Sequence, residues 1–234
     1  MTGRTNPIRR TNNFHIKPRI LHACVEYEGI TPSKHKLGSL VHAISVYSAQ
    51  LGSDVRVYLP KTKLVGENFR RGHYDDVECA GTQVRLTHIF PSDVEAGQSG
   101  LSIFLVEKDG IFNQYNYEEP SNNITPWNIF PNAILEHIRS SGFQPDIVHC
   151  HEWQTGLLPF YYGTRTRERR AALIFTPYDY MAMGLFSGEE GRSAGLSDDM
   201  MRDPDQFEYF GNVSLEKGAF YYSDLTIFPS EQML

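Results

Sequence analysis

Cysteine is scarce: three residues in a chain of 234, with no CxxC pair. That excludes a disulfide framework and a zinc ribbon, and it sets a reducing cytoplasm as the expected location. No apolar run approaches the roughly 20 residues that cross a bilayer, so neither a transmembrane helix nor a membrane partner is expected. Met1 to Arg19 is polar and basic and lacks the apolar core of a signal peptide. Two fingerprints are missing as well. No GxG occurs, which removes the dinucleotide-binding turn, and no GK[ST], which removes the P-loop. Positive charge is not in excess: 22 Lys and Arg face 28 Asp and Glu, a net charge of −6. That argues against nucleic acid as a general partner.

Apolar residues make up 40 % of the chain and aromatics 12 %, enough for a sizeable core in one large or two small domains. Charge is uneven. Arg4, Arg9, Arg10, Lys17 and Arg19 precede Ile20 without a single acid. Residues 1–18 therefore read as a basic flexible arm. It is either a solvated terminus or a tether to an acidic or polyphosphate partner. A second basic run, Arg165, Arg167, Arg169 and Arg170, is expected to close a helix, where cations oppose the negative end of the dipole.

Arg19 to Val25 is a short β-rich apolar run and predicts a buried strand. Gly38 to Leu51 carries apolar residues at 40, 44, 47 and 51, the spacing of one helix face, and Gly52 predicts its stop. Asp54 to Leu59 alternates and ends at Pro60. Strand, helix and strand in succession make a βαβ unit, hence a parallel sheet. Residues 61 to 115 read as an inserted region with strands at Val84–Ile89 and Leu101–Val106. A helix follows at Trp127–Arg139, with Pro131 expected to break it or delay its start. Pro145–Cys150 and Ala171–Thr176 predict strands on either side of an aromatic helix ending near Gly163. Glu189 to Asp205 reads as a flexible loop, Gln206–Tyr222 as a helix and Asp224–Pro229 as a last strand. The pattern predicts an α/β, Rossmann-like, doubly wound, mostly parallel sheet.

Ligands of such sheets sit beyond the carboxyl ends of the strands. His149-Cys150-His151 invites a metal, but alternation puts the histidines on one face and the cysteine on the other. A packed or hydrogen-bonded strand end is the expectation, with no metal ligands assigned. Cys24 and Cys150 read as small buried apolar residues. Glu152 follows a buried strand. It is either a cleft carboxylate, able to bind a sugar hydroxyl or polarise a reacting group, or an N-cap for the helix at Trp153. Lys34, His35 and Lys36 precede a helix start. They form either an anion site or a solvated basic loop.

Four segments together resemble the N-terminal domain of bacterial glycogen synthases and plant starch synthases. Arg19–Pro60 is similar to the family's opening strand, glutamate, lysine-glycine-glycine-leucine-glycine loop, helix and second strand. Pro145–Pro159 (PDIVHCHEWQTGLLP) resembles the family's PDVVHAHDWHTALVP. Phe175–Gly184 (FTPYDYMAMG) resembles FTIHNLAYQG, and Leu215–Ser230 resembles a lysine-containing helix followed by ADRVTTVS. Order and spacing agree from residue 19 onward, so residues 19–234 are expected to equal the N-terminal half of a GT-B glycosyltransferase.

The resemblance implies a retaining transfer of glucose from ADP- or UDP-glucose to an α-1,4-glucan. It implies no metal and no cofactor. It also implies a cleft whose other half, the family's C-terminal nucleotide-binding domain, is not expected within residues 1–234. Carried over by position, it gives Glu152 and Tyr178 as catalytic candidates. Lys34, Lys36, Gly38, Ser39, His151, Asp179 and Gly184 become the substrate-binding candidates. Departures are specific. The family's two loop glycines fall on His35 and Lys36, and its lysine falls on Ser33, or on Lys34 with one deletion. The aspartate after the loop becomes Ser39, the HDW aspartate becomes Glu152, and the histidine and asparagine of TIHN become Tyr178 and Asp179. These changes predict that the chain alone does not synthesise glycogen. The alternative is a non-catalytic glucan-binding, regulatory or protein-interaction module. A homo- or hetero-oligomer is expected through an apolar face at Tyr180, Met181, Met183, Phe186 and Phe228–Leu234.

Overall fold

The computed structural model describes residues 17–32, 36–91, 100–114, 123–166, 171–179 and 182–229. Most of the arm, Lys34, His35, Tyr180, Met181 and 230–234 lie outside them. The chain forms β1 (Arg19–Ala23), α1 (Leu37–Gln50), β2 (Asp54–Pro60), β3 (Phe69–Cys79), β4 (Thr82–Pro91), β5 (Leu101–Glu107) and α2 (Thr125–Ser140). There follow β6 (Ile147–His151), α3 (Leu157–Arg165), β7 (Ala172–Thr176), β8 (Leu185–Phe186), α4 (Gly188–Ser193) and α5 (Asp198–Arg202). The last elements are β9 (Glu208–Tyr209), β10 (Asn212–Ser214), α6 (Leu215–Tyr222) and β11 (Leu225–Thr226).

Eight strands form one sheet in the order β11-β7-β6-β1-β2-β5-β4-β3. From β11 to β5 every neighbour pair is parallel; β4 and β3 add an antiparallel wing. Residues 61–115 are thus no insertion beside the sheet. β5 pairs with β2 from Val55↔Leu101 to Pro60↔Val106 and extends the parallel core. The wing hairpin turns at Ala80-Gly81, both with positive φ (49° and 74°), the twist that a two-residue hairpin needs. β8, β10 and β9 form a separate small antiparallel sheet.

Alternate strand residues divide the core. Ile20, Cys24, Val55, Val57 and Ile103 pack toward Leu37, Val41 and Ala49 of α1. Leu21, Ala23, Val148, Cys150, Leu173 and Phe175 pack with Phe130, Ala133 and Ile134 of α2. Cys24 and Cys150 are buried thiols, as expected.

The helix face of α1 differs from the expectation. Leu40, Tyr47 and Leu51 are exposed, while Leu37, Val41, Ser45 and Ala49 face inward. Gly38 is the physical reason. A Cβ there would stand 3.2 Å from the backbone nitrogens of Tyr27 and Glu28, so the helix is seated on that loop by its glycine. The Tyr27 hydroxyl then meets Ser45 Oγ at 3.0 Å and fixes the rotation.

Other differences have local causes. Glu189–Asp205 holds two short helices. Ser187 and Glu190 make a reciprocal capping box on α4, and Ser197 caps α5. The helix expected over Gln206–Tyr222 begins only at Leu215. Phe210 (φ 47°) and Gly211 (φ 82°) turn the chain between β9 and β10 first, and Ser214 caps the helix. α2 continues through Pro131.

Candidate functional site

β1, β6 and β7 are adjacent and parallel, paired at Ala23↔Cys150 and Cys150↔Phe175. Their carboxyl ends therefore deliver the loop before α1, Glu152 and Tyr178 to one end of the sheet. Glu152 is 7 % exposed and holds φ 68°, a conformation that side chains rarely adopt. Hydrogen bonds fix it there. Its N–H donates to the Thr176 carbonyl at 3.0 Å, and its own carbonyl accepts from Thr155 N at 3.0 Å and Thr155 Oγ1 at 2.8 Å. Its side chain makes no cap bond to the turn that follows. Instead Oε1 accepts the Tyr178 N–H at 2.6 Å and ties the β6 tip to the β7 tip. The side chain therefore does not serve as the N-cap that was one of the two sequence readings.

Burial holds the Glu152 carboxyl up at about 8, and the nearby Glu216 and Asp179 carboxyls push the same way. Glu216, from the first turn of α6, is 5 % exposed and is raised to about 7 by burial and then by Asp179. Three carboxyl groups thus meet at the strand tips, two of them protonated more readily than usual. Glu216 is absent from the sequence reading, since it lies on a helix 64 positions after Glu152 and no short motif joins them. Glu26, buried three residues beyond β1, is a further carboxyl that the reading did not assign to the site.

The remaining candidates fall as follows. His151 is fully buried, and its Nδ1 lies 3.2 Å from the half-buried Tyr178 hydroxyl. Burial pushes both His151 and Tyr178 toward their neutral forms. Gly184 (φ 57°) seats against the Trp153 ring, where a Cβ would come within 2.3 Å. Asp179 is half-buried beside Glu152. Lys36 is exposed at the start of α1 with φ 60°, the left-handed region that glycine enters without strain. Gly38 is buried, and Ser39 is half-buried one residue on. Lys34 lies outside the described residues. Of the apolar face expected to meet a partner, Phe186 is instead a core residue, 3 % exposed and 6.0 Å from the Trp153 ring.

The histidine pair gains a third member. His22 of β1 stands in register with His149, and its Nδ1 lies 3.0 Å from His151 Nε2. The His149 and His151 rings are 3.9 Å apart, on one face as expected. A cavity of about 400 Å³ lies elsewhere, beside Phe143, Tyr162 and Arg165 at the amino ends of β6 and β7, away from these groups. Among the described residues no helix is long and apolar enough to cross a membrane.

Comparisons with known proteins identify the domain. A glycogen synthase of Geotalea uraniireducens is 28 % identical over 208 residues, covering 83 % of this chain and 42 % of that protein. A glycogen synthase of Moorella thermoacetica is 27 % identical over 192 residues, covering 80 % and 38 %. The chain therefore spans about two fifths of the length of these relatives. The catalytic domain of Arabidopsis thaliana starch synthase IV, solved with ADP and acarbose, superposes with a TM-score of 0.72 at 23 % identity. The match covers 89 % of this chain and 44 % of that one, and it establishes the GT-B fold for this half. The family model for the starch synthase catalytic domain matches residues 19–234, and the chain belongs to that glycosyltransferase family.

Proposed function

We propose that this chain forms one face of a glucosyltransferase cleft, the face that receives an α-glucan acceptor and meets the diphosphate of ADP- or UDP-glucose. A second domain supplies the rest of the nucleotide pocket. The observation that carries this reading is Glu152. A carboxyl held in strained backbone at the central strand tips, where such sheets meet their ligands, supports a ligand role alongside its bond to Tyr178. With a proton retained near neutrality, Glu152 donates a hydrogen bond to a sugar or phosphate oxygen. The Tyr178 hydroxyl, backed by His151, offers a second contact to the same sugar. The amino end of α1, with Lys36 beside it, faces the diphosphate with backbone N–H groups.

A second reading, a glucan-binding module without transfer, is favoured by one observation. Lys36 puts a side chain where the family's loop brings glycine close to phosphate. One experiment separates the two. The 234-residue chain is incubated with glycogen and radiolabelled ADP- or UDP-glucose, and its affinity for maltoheptaose is measured by calorimetry. Expected are no incorporation and measurable glucan binding that Glu152→Ala weakens at least about tenfold. Incorporation abolished by Glu152→Gln would overturn the need for a second domain. Absence of any glucan binding would overturn both readings.

A further inference from the structure

From the convergence of three imidazoles on neighbouring strands, we infer that His22, His149 and His151 form a binding site for a divalent transition-metal ion of the zinc type. One nitrogen from each residue lies within 4.8 Å of the other two. His22 Nδ1 and His151 Nε2 are already 3.0 Å apart. Nitrogens bound to one zinc at about 2.0–2.1 Å stand about 3.3 Å apart in a tetrahedron, so small rotations of the rings complete the set.

The surroundings suit ligation. A metal-bound histidine normally gives its other ring nitrogen to an oxygen partner, which fixes the ring. His149 Nε2 has Thr176 Oγ1 at 2.8 Å, and His151 Nδ1 has the Tyr178 hydroxyl at 3.2 Å. His22 is the exception: its Nε2 is buried and has no hydrogen-bond partner among the described residues, so ligation through Nδ1 leaves that nitrogen as it is. All three rings are held neutral by burial, the form that binds a cation. The site shares His151 with the sugar contact proposed above, but metal binding is read without sugar, so the two readings fail separately. The ion would brace β1 against β6 beneath Tyr178.

The test uses the purified 234-residue chain stripped with a chelator and titrated with Zn²⁺, and in parallel with Co²⁺. Expected are one ion per chain by elemental analysis, d–d absorption of a nitrogen-ligated low-coordinate Co²⁺, and a melting temperature raised by metal. His22→Phe should weaken binding at least about 100-fold and abolish the Co²⁺ bands. His149→Gln serves in its place if circular dichroism shows that His22→Phe is unfolded. The competing pair is His73 and His88 on the wing, with rings 5.1 Å apart. His73→Ala should leave binding unchanged. No stoichiometric binding by the unmodified chain, or binding lost in His73→Ala and kept in His22→Phe, overturns the site.

Discussion

At the carboxyl ends of β1, β6 and β7 the polar groups are buried and held neutral; on the β3–β4 wing they are exposed and paired as ions. The first region contains His22, His149, His151, Glu152 and Glu216, all under 9 % exposed. The second contains Arg85 on Asp76 at 2.9 Å, and its Arg71 reaches Glu107 at the end of the neighbouring β5 at 2.7 Å, a carboxylate that Lys61 also meets at 3.1 Å. Both belong to one continuous sheet. The wing arrangement is what folding alone selects, because exposed ion pairs cost little to desolvate. The tip arrangement costs stability, since a buried ionisable group must give up its charge. A fold retains such an expense where a ligand is met.

The strictest test of this contrast is steric. Gly156 joins the Glu152 turn to α3, and a Cβ there would lie 2.3 Å from the Leu215 carbonyl oxygen, at the start of the helix that carries Glu216. Backbone cannot rotate out of the way as a side chain can. Gly156→Ala should destabilise the chain by about 3 kcal/mol or more in urea unfolding. Gly81→Ala on the wing, where nothing lies within 4 Å, meets only the strain of its positive φ of 74° and should cost about 1 kcal/mol. Equal costs would erase the distinction between a tip built to tolerance and an open wing.

A smaller effect should appear against pH. Glu152 and Glu216 are raised in the folded state to about 8 and about 7, so the folded chain holds more protons than the unfolded one above pH 4.5. Their contribution is complete below that value and is lost as pH rises through 7 and 8. His22 and His149 are lowered to about 3 and about 4, so their contribution is complete above 6.5 and is lost as pH falls through 4 and 3. Stability should peak between about pH 4.5 and 6.5 in chelated buffer, read as the urea midpoint. Glu152→Gln should flatten the alkaline limb. A level profile from pH 6.5 to 8 would show that the tip carboxyls are solvated.

The two regions also differ in how far the sequence reveals them. The parallel core was legible, because buried strands are continuous apolar runs and the turns after them carry Gly or Pro. The HEW triplet marked Glu152, and its neighbour on the β7 tip, Tyr178, followed from the resemblance. What periodicity could not supply was contact between distant segments. His22 reads as one polar residue in an apolar strand until parallel pairing puts it beside His149. Glu216 reads as a first-turn acid until α6 packs on the turn after Glu152. The face of α1 was misread for a related reason. Leu40, Tyr47 and Leu51 have the spacing of a buried stripe, but the seat of Gly38 on the Tyr27 loop turns Val41 and Ser45 inward. The strand β3 went unseen because its FRRGHYDD stretch is exposed and nearly apolar-free; only pairing with β4 makes it a strand.

The smallest predicted effect belongs to the wing. Burial works against the Glu107 charge, and the bonds from Thr87, then Arg71 and Lys61, outweigh it, so its carboxyl sits below the usual range. Arg71 is 40 % exposed, however, and water and salt screen its share of that attraction. Arg71→Ala should cost under about 1 kcal/mol in low salt and less than half of that in 1 M sodium chloride. The Gly156→Ala penalty, being steric, should not respond to salt at all. If Arg71→Ala instead costs several kcal/mol and ignores salt, its guanidinium supports the wing by packing over the Phe69 ring, 5.7 Å away, and the wing is not held by ions.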